Sequence, residues 1–217
     1  AFTPFVVGRA IDDGLASALY VGNYRFAITG TDYLAHATPS PFQHYWSLAV
    51  EEQFYLVWPA LFLLVTSLTF LGGAVRWRAR VAIAVCAIAA TSLAWSIVAT
   101  ERGPVGAYFS TFTRAWELAL GALIAITTTS ATRFPRPLAR AASAAGVALF
   151  VAAAVVIDDT TPFPGAAALL PTVATALLIV GGITARLPFP NRALCLSPLR
   201  FLGRISYSVY LWHWPLV

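Results

Sequence analysis

The run His44-Tyr45-Trp46-Ser47-Leu48-Ala49-Val50-Glu51-Glu52-Gln53-Phe54-Tyr55 gathers an imidazole, two adjacent carboxylates, an amide and several aromatic rings. Those groups can take up protons, hold donors and stack on flat surfaces. The run leads directly into the apolar stretch Ala60 to Val65, so the carboxylates sit at the mouth of what reads as a membrane span. Ionisable groups are costly in lipid and mark a functional site by default there. The same carboxylates would also suit the positive N-terminal end of a helix facing water, and both readings stand at this point. Tyr55 lies one turn below Glu51 on the same helical face, where its hydroxyl can reach the carboxylate. His44 stands close to the membrane mouth, whereas His36 reads as a solvated loop residue.

Two further clusters carry chemistry. In Thr113-Arg114-Ala115-Trp116-Glu117, arginine and glutamate stand three residues apart on one helical face. They either neutralise each other as a structural ion pair, or Arg114 holds an anionic group while Glu117 orients a partner. A guanidinium suits such anions because its planar fork donates in parallel. Near the end of the chain, Tyr207, Tyr210 and His213 follow one another at intervals of three, which places hydroxyls and an imidazole on one stripe. An interfacial belt of Trp and Tyr explains the aromatics. A belt needs no histidine, and histidine is the side chain best suited to proton transfer near neutral pH.

The elements that must position these groups are membrane helices. Of 217 residues, 59% are hydrophobic and 11% charged, against roughly 25% charged in a soluble domain. The mean hydropathy is +0.75. Long unbroken apolar runs, rather than alternating ones, indicate helices and not a barrel. Spans are expected near 51–71, 81–100, 108–127, 138–157, 165–183 and 201–217, each close to the ~20 residues a crossing requires. A short surface helix is expected over Ile11 to Tyr20, and a loop over 31–45. Asp158-Asp159 with Pro162 and Pro164 reads as a turn.

All 14 basic residues are arginine, and they cluster in alternate loops: Arg76, Arg78 and Arg80; Arg133, Arg136 and Arg140; Arg186, Arg192, Arg200 and Arg204. By the positive-inside rule these loops are cytoplasmic. They read as topology signals, which argues against nucleic acid as a partner despite a net charge of +5. Glu51, Glu52, Arg114, Glu117 and His213 then converge on the outer half of the bilayer. At about 1.5 Å per residue, Glu117 lies roughly 10–14 Å below Tyr108. Cys86 and Cys195 fall in a span and a basic loop, with no disulfide pattern and no metal spacing. With no methionine and an apolar close at Leu216-Val217, the chain reads as one domain, residues 1–217, cut from a longer polypeptide at both ends.

Three segments resemble the acyltransferase-3 family of bacterial membrane O-acyltransferases. The first runs from Asn23-Tyr24-Arg25-Phe26 through Asp32-Tyr33 and Ser40-Pro41 to His44–Tyr55. The second is Thr113-Arg114-Ala115-Trp116-Glu117-Leu118 followed by Gly121. The third is Phe201-Leu202-Gly203-Arg204-Ile205-Ser206-Tyr207-Ser208-Val209-Tyr210-Leu211-Trp212-His213-Trp214-Pro215. Their order and spacing match as well.

The resemblance implies an all-α polytopic bundle in the bacterial inner membrane, with about six spans here out of about ten. It implies transfer of an acyl group, commonly acetyl from acetyl-CoA, to a hydroxyl of a cell-surface glycan, with no metal. In the family, a histidine in the first span carries the central step, and that region is not in this sequence. The candidate catalytic residues are Glu51, Glu52 and His213, with Glu51 expected to orient or tune the first-span histidine. The candidate substrate-binding residues are His44, Trp46, Tyr55, Arg114, Glu117 and Tyr210. Two alternatives remain open: a transporter of an acyl donor or lipid-linked sugar, and an inactive fragment. A transporter would often carry inverted repeats, and the halves show no self-similarity.

Overall fold

The computed structural model describes residues 4–31, 40–69, 77–128, 135–183 and 189–216. His36, Arg76, Arg133, Arg186 and the Gly72-Gly73 pair lie outside them. The described residues form helices and turns, with no strand among them. The chain opens with α1 (Pro4–Ala18) and the short α2 (Gly22–Ile28), which Arg25 ties together through ion pairs to Asp13 at 2.5 Å and Asp12 at 3.3 Å.

Among the described residues, three helices are long and apolar enough to cross a membrane: α3 (Tyr45–Thr69) over Tyr45–Ser67, α4 (Trp77–Arg102), and α7 (Arg136–Val156). α3 begins well before the expected Glu51. The turn at 41–44 starts the helix, so the carboxylates stand inside its second turn instead of at its mouth. The expected span at 108–127 is two pieces, α5 (Pro104–Phe109) and α6 (Thr111–Thr127), separated by Ser110 in an extended conformation at φ −74°, ψ 128°. The expected span at 165–183 shortens to α8 (Leu169–Gly182), because residues 163–168 form a turn around the left-handed Gly165. A four-residue α9 (Asn191–Leu194) precedes α10 (Ser197–Leu216).

Three packing seams hold the helices. Phe26, Trp46, Val50 and Phe109 bury one another where α2, α3 and α5 meet. Val81 and Val85 of α4 meet Ala119 of α6, flanked by Trp58, Phe62 and Val65 of α3. Ser92 adds a polar rivet here. Its hydroxyl donates to the Phe112 carbonyl at 2.6 Å and accepts the Trp116 amide at 3.0 Å, bridging the first turn of α6.

The third seam joins α7 and α8 through small residues. A Cβ on Gly181 would lie 2.9 Å from the Ala139 carbonyl and 3.1 Å from the Ser143 amide. One on Gly146 would lie 2.9 Å from the Ala174 carbonyl. Lipid offers no hydrophobic drive between helices, so close backbone approach at small residues supplies the contact.

Candidate functional site

The break at Ser110 builds the site. Ending α5 leaves its last carbonyls without the amides that a continuing helix would supply, and such groups must be satisfied away from water. Side chains reach several of the carbonyls at the break. Thr113 Oγ1 donates to the carbonyls of Ala107 at 2.5 Å and Ser110 at 2.8 Å. Asn23 Nδ2 donates to that of Phe109 at 3.1 Å, and Arg114 Nε reaches that of Tyr108 at 3.5 Å. Arg114 is thereby held at the start of α6 with most of its side chain buried.

Its guanidinium is surrounded by aromatic faces. Cζ lies 5.4 Å from the ring centre of Trp46, 5.2 Å from Tyr108 and 4.8 Å from Phe163, within the range of cation–π attraction. Nη1 donates to Glu117 Oε1 at 3.0 Å. Phe163 arrives from the turn after α7. There Thr160 and Thr161 donate to Asp158, which holds that carboxyl below the ordinary range. The Gly165 amide donates to Thr100 Oγ1 at 3.0 Å and anchors the same turn to α4. Glu117 and Phe163 both line a cavity of about 310 Å3 between α6 and α8, whose other walls include Gly121, Ile124, Thr172 and Thr175. The ion pair is therefore caged on one side and open to a largely apolar cavity on the other.

A second cluster forms where α10 meets the turn before α3. Tyr210 bonds the His44 carbonyl and Ser47 Oγ through its hydroxyl, and Trp214 Nε1 donates to the Ser40 carbonyl at 2.9 Å. The His44 ring stands 5.5 Å from those of both Tyr210 and His213, and stacks on Trp214 at 5.9 Å. His44 is fully buried, and neither ring nitrogen meets a hydrogen-bond partner of good geometry. Burial, reinforced by His213, pushes its pKa down from 6.5. His213 is exposed, and its Nδ1 sits 2.7 Å from the Tyr210 carbonyl. A carbonyl only accepts, so in the neutral ring this contact places the proton on Nδ1 and leaves Nε2 as the acceptor.

The sequence-derived candidates thus fall into three groups. Trp46, Arg114 and Glu117 come together. His44, Tyr210 and His213 come together. Glu51 and Tyr55 pair with each other at 3.4 Å, with Tyr55 exposed, and Glu52 faces outward beside them. Neither carboxylate forms an ion pair among the described residues. Several participants carried no sequence signal. Thr111, Tyr108 and Phe163 matter only because of the helix break and the turn, which no periodicity announces. Asn23, Gln53 and Thr113 stood inside the distinctive segments without a role assigned.

A family model described as an acyltransferase domain matches residues 4–217, and the chain belongs to the acyltransferase-3 family. YrhL of Bacillus subtilis (strain 168), provisionally named a peptidoglycan O-acetyltransferase, is 31% identical across 94% of this chain and 33% of its own length. The peptidoglycan O-acetyltransferase OatA of Listeria monocytogenes is 29% identical across 100% of this chain and 35% of its own length. The O-acetyltransferase OatA of Staphylococcus aureus (strain NCTC 8325 / PS 47) is 28% identical across 100% of this chain and 36% of its own length. The chain thus spans about a third of the length of these relatives. No solved structure matches it significantly.

Proposed function

We propose that this chain is part of a membrane O-acyltransferase that moves an acyl group, acetyl in the first instance, from acyl-CoA to a hydroxyl of an extracytoplasmic glycan. The family and the names of the relatives favour this chemistry, and peptidoglycan is the acceptor those names suggest. In this reading the chain contributes about six membrane-associated segments to a multi-pass bacterial inner-membrane protein, with its arginine-rich loops in the cytoplasm.

The observation that carries the reading is the Arg114–Glu117 pair, caged by three rings and opening through Glu117 on a cavity. Acyl transfer develops negative charge on the carbonyl oxygen, and a fixed donor in a dry site stabilises it best. Arg114 is assigned that part, or the binding of the acyl donor, and Glu117 holds its fork in place. His213, whose Nδ1 is engaged by the Tyr210 carbonyl, is assigned to accept the acceptor hydroxyl's proton at Nε2. Glu51, steadied by Tyr55, is assigned to orient a catalytic partner contributed by other segments of the protein.

The test is to label the full-length protein in membranes with radioactive acetyl-CoA and to identify the acetylated product. Acetylated glycan is expected from the wild type and is expected to be lost in Glu51→Gln and Arg114→Ala at equal protein level. Normal acetylation in both variants overturns the site assignment. No labelled glycan from the wild type overturns the function.

A further inference from the structure

Asn23, Thr111 and Gln53 close a ring of hydrogen bonds among three separate elements. Asn23 Nδ2 donates to Thr111 Oγ1 at 3.1 Å, Thr111 Oγ1 donates to Gln53 Oε1 at 2.5 Å, and Gln53 Nε2 donates to Asn23 Oδ1 at 3.0 Å. The remaining amide hydrogens are also used: Asn23 Nδ2 reaches the Phe109 carbonyl at 3.1 Å, and Gln53 Nε2 reaches the Tyr20 carbonyl at 2.7 Å. Only one orientation of each amide fits. Flipping Gln53 would set its oxygen against the Tyr20 carbonyl, and flipping Asn23 would set its oxygen against that of Phe109.

Such a closed network, half-buried at the helix junction, fixes geometry more tightly than apolar contact, because any displacement breaks several bonds at once. Its position is informative. Gln53 lies on α3, two turns beyond Trp46. Thr111 opens α6, one turn before Arg114. Asn23 holds the Phe109 carbonyl at the break between α5 and α6. The ring therefore sets how far Trp46 stands from the guanidinium it faces at 5.4 Å, and how α6 leaves the break.

We infer that Asn23, Gln53 and Thr111 are positioning residues for acyl transfer, acting through the placement of Arg114 in its aromatic cage. The inference rests on the proposed function. It assigns work to three residues that need touch neither substrate, because Arg114 delivers the effect. A group misplaced by about 1 Å can cost about 10²-fold in rate, so the ring matters if Arg114 does.

The experiment is a double-mutant cycle on the full-length protein in membranes, reading acetyl transfer at matched folded protein. Thr111→Val keeps the side-chain shape but removes both ring bonds at that corner. Thr111→Ser restores the hydroxyl. Thr111→Val is expected to lower kcat at least tenfold with little change in KM for acetyl-CoA, and Thr111→Ser to recover most of it. Placed on Arg114→Ala, Thr111→Val is expected to cost nothing further, since the group it positions is gone. Gln53→Glu provides a second corner, because it keeps the acceptor oxygen and loses the donors, and the same non-additivity is expected.

Wild-type rates in Thr111→Val and Gln53→Glu overturn the inference. So does a loss that multiplies with that of Arg114→Ala, since a purely structural role would act independently. Both of these outcomes leave the proposed function standing. Wild-type transfer in Arg114→Ala, or no transfer by the wild type, removes the proposed site or function, and the positioning role falls with it.

Discussion

The seam between α7 and α8 and the junction of α2, α3, α5 and α6 solve the same problem in opposite ways. Both must hold helices together where water does not help. The α7–α8 seam does it by omission: Ala139, Ser143, Gly146, Ala174 and Gly181 are small, and the backbones touch. The junction does it by specification: Asn23, Thr113 and Arg114 place donors on carbonyls at the break by Ser110, and Gln53 and Thr111 tie Asn23 in place. A small-residue seam tolerates sliding along its length, whereas a hydrogen-bonded junction has one register. The chain uses the second kind where Arg114 must be held and the first where it is not.

That contrast can be broken or sharpened by substitution. The largest effect is expected from Arg114→Ala, about 10²–10³-fold in kcat if the guanidinium meets developing charge, read as acetyl transfer in membranes. Its melting temperature is expected to fall less, because a Glu117 left without its partner can take up a proton. Gly181→Val is expected to do the reverse. Its Cβ meets fixed backbone of α7, so about 1–3 kcal/mol of stability should be lost, read by thermal melting in nanodiscs, with kcat per folded molecule near that of wild type. A large kcat loss at full folding would erase the distinction between the two regions.

Asn23→Ala belongs to the junction and should affect both readouts. It removes the Asn23 donor to the Phe109 carbonyl and the acceptor of one Gln53 hydrogen, at about 0.5–1.5 kcal/mol for each hydrogen bond lost. Thr100→Val, which strands the Gly165 amide behind Phe163, is expected to cost near the lower end of that range, visible as faster hydrogen exchange at residues 163–168.

The smallest effect is expected at His44. Its folded pKa lies below 6.5, so the unfolded chain binds the extra proton first as pH falls. Its contribution is complete above about 6.5 and is lost as pH drops from there towards the lowered folded value. The rings it faces are those of Tyr45, Tyr210, His213 and Trp214. Melting temperature should fall between pH 7 and pH 5, and His44→Phe should flatten that slope. An unchanged slope would show that His44 does not couple α10 to the turn before α3.

Much of the helical character was legible in the sequence, because apolar runs of span length have few other solutions. The ion pair was legible too, since spacing of three on a helix brings side chains together wherever the helix lies. The helix break was not. Tyr108-Phe109-Ser110-Thr111 contains no glycine or proline, and its carbonyls are satisfied by residues from as far away as Asn23. Glu51 and Glu52 read as companions of Arg114, whereas the structure pairs Glu51 with Tyr55 and leaves Glu52 exposed.

Composition, arginine distribution and three short motifs determined a helical membrane-associated chain of the acyltransferase-3 family. These properties depend on side chains near one another in sequence, or on the solvent the whole chain prefers. The grouping of the candidates into an Arg114 cage, a His44 corner and a separate Glu51–Tyr55 pair was decided only by tertiary structure. Those groupings depend on where α5 stops and which distant donors meet its open carbonyls, and no local spacing encodes either.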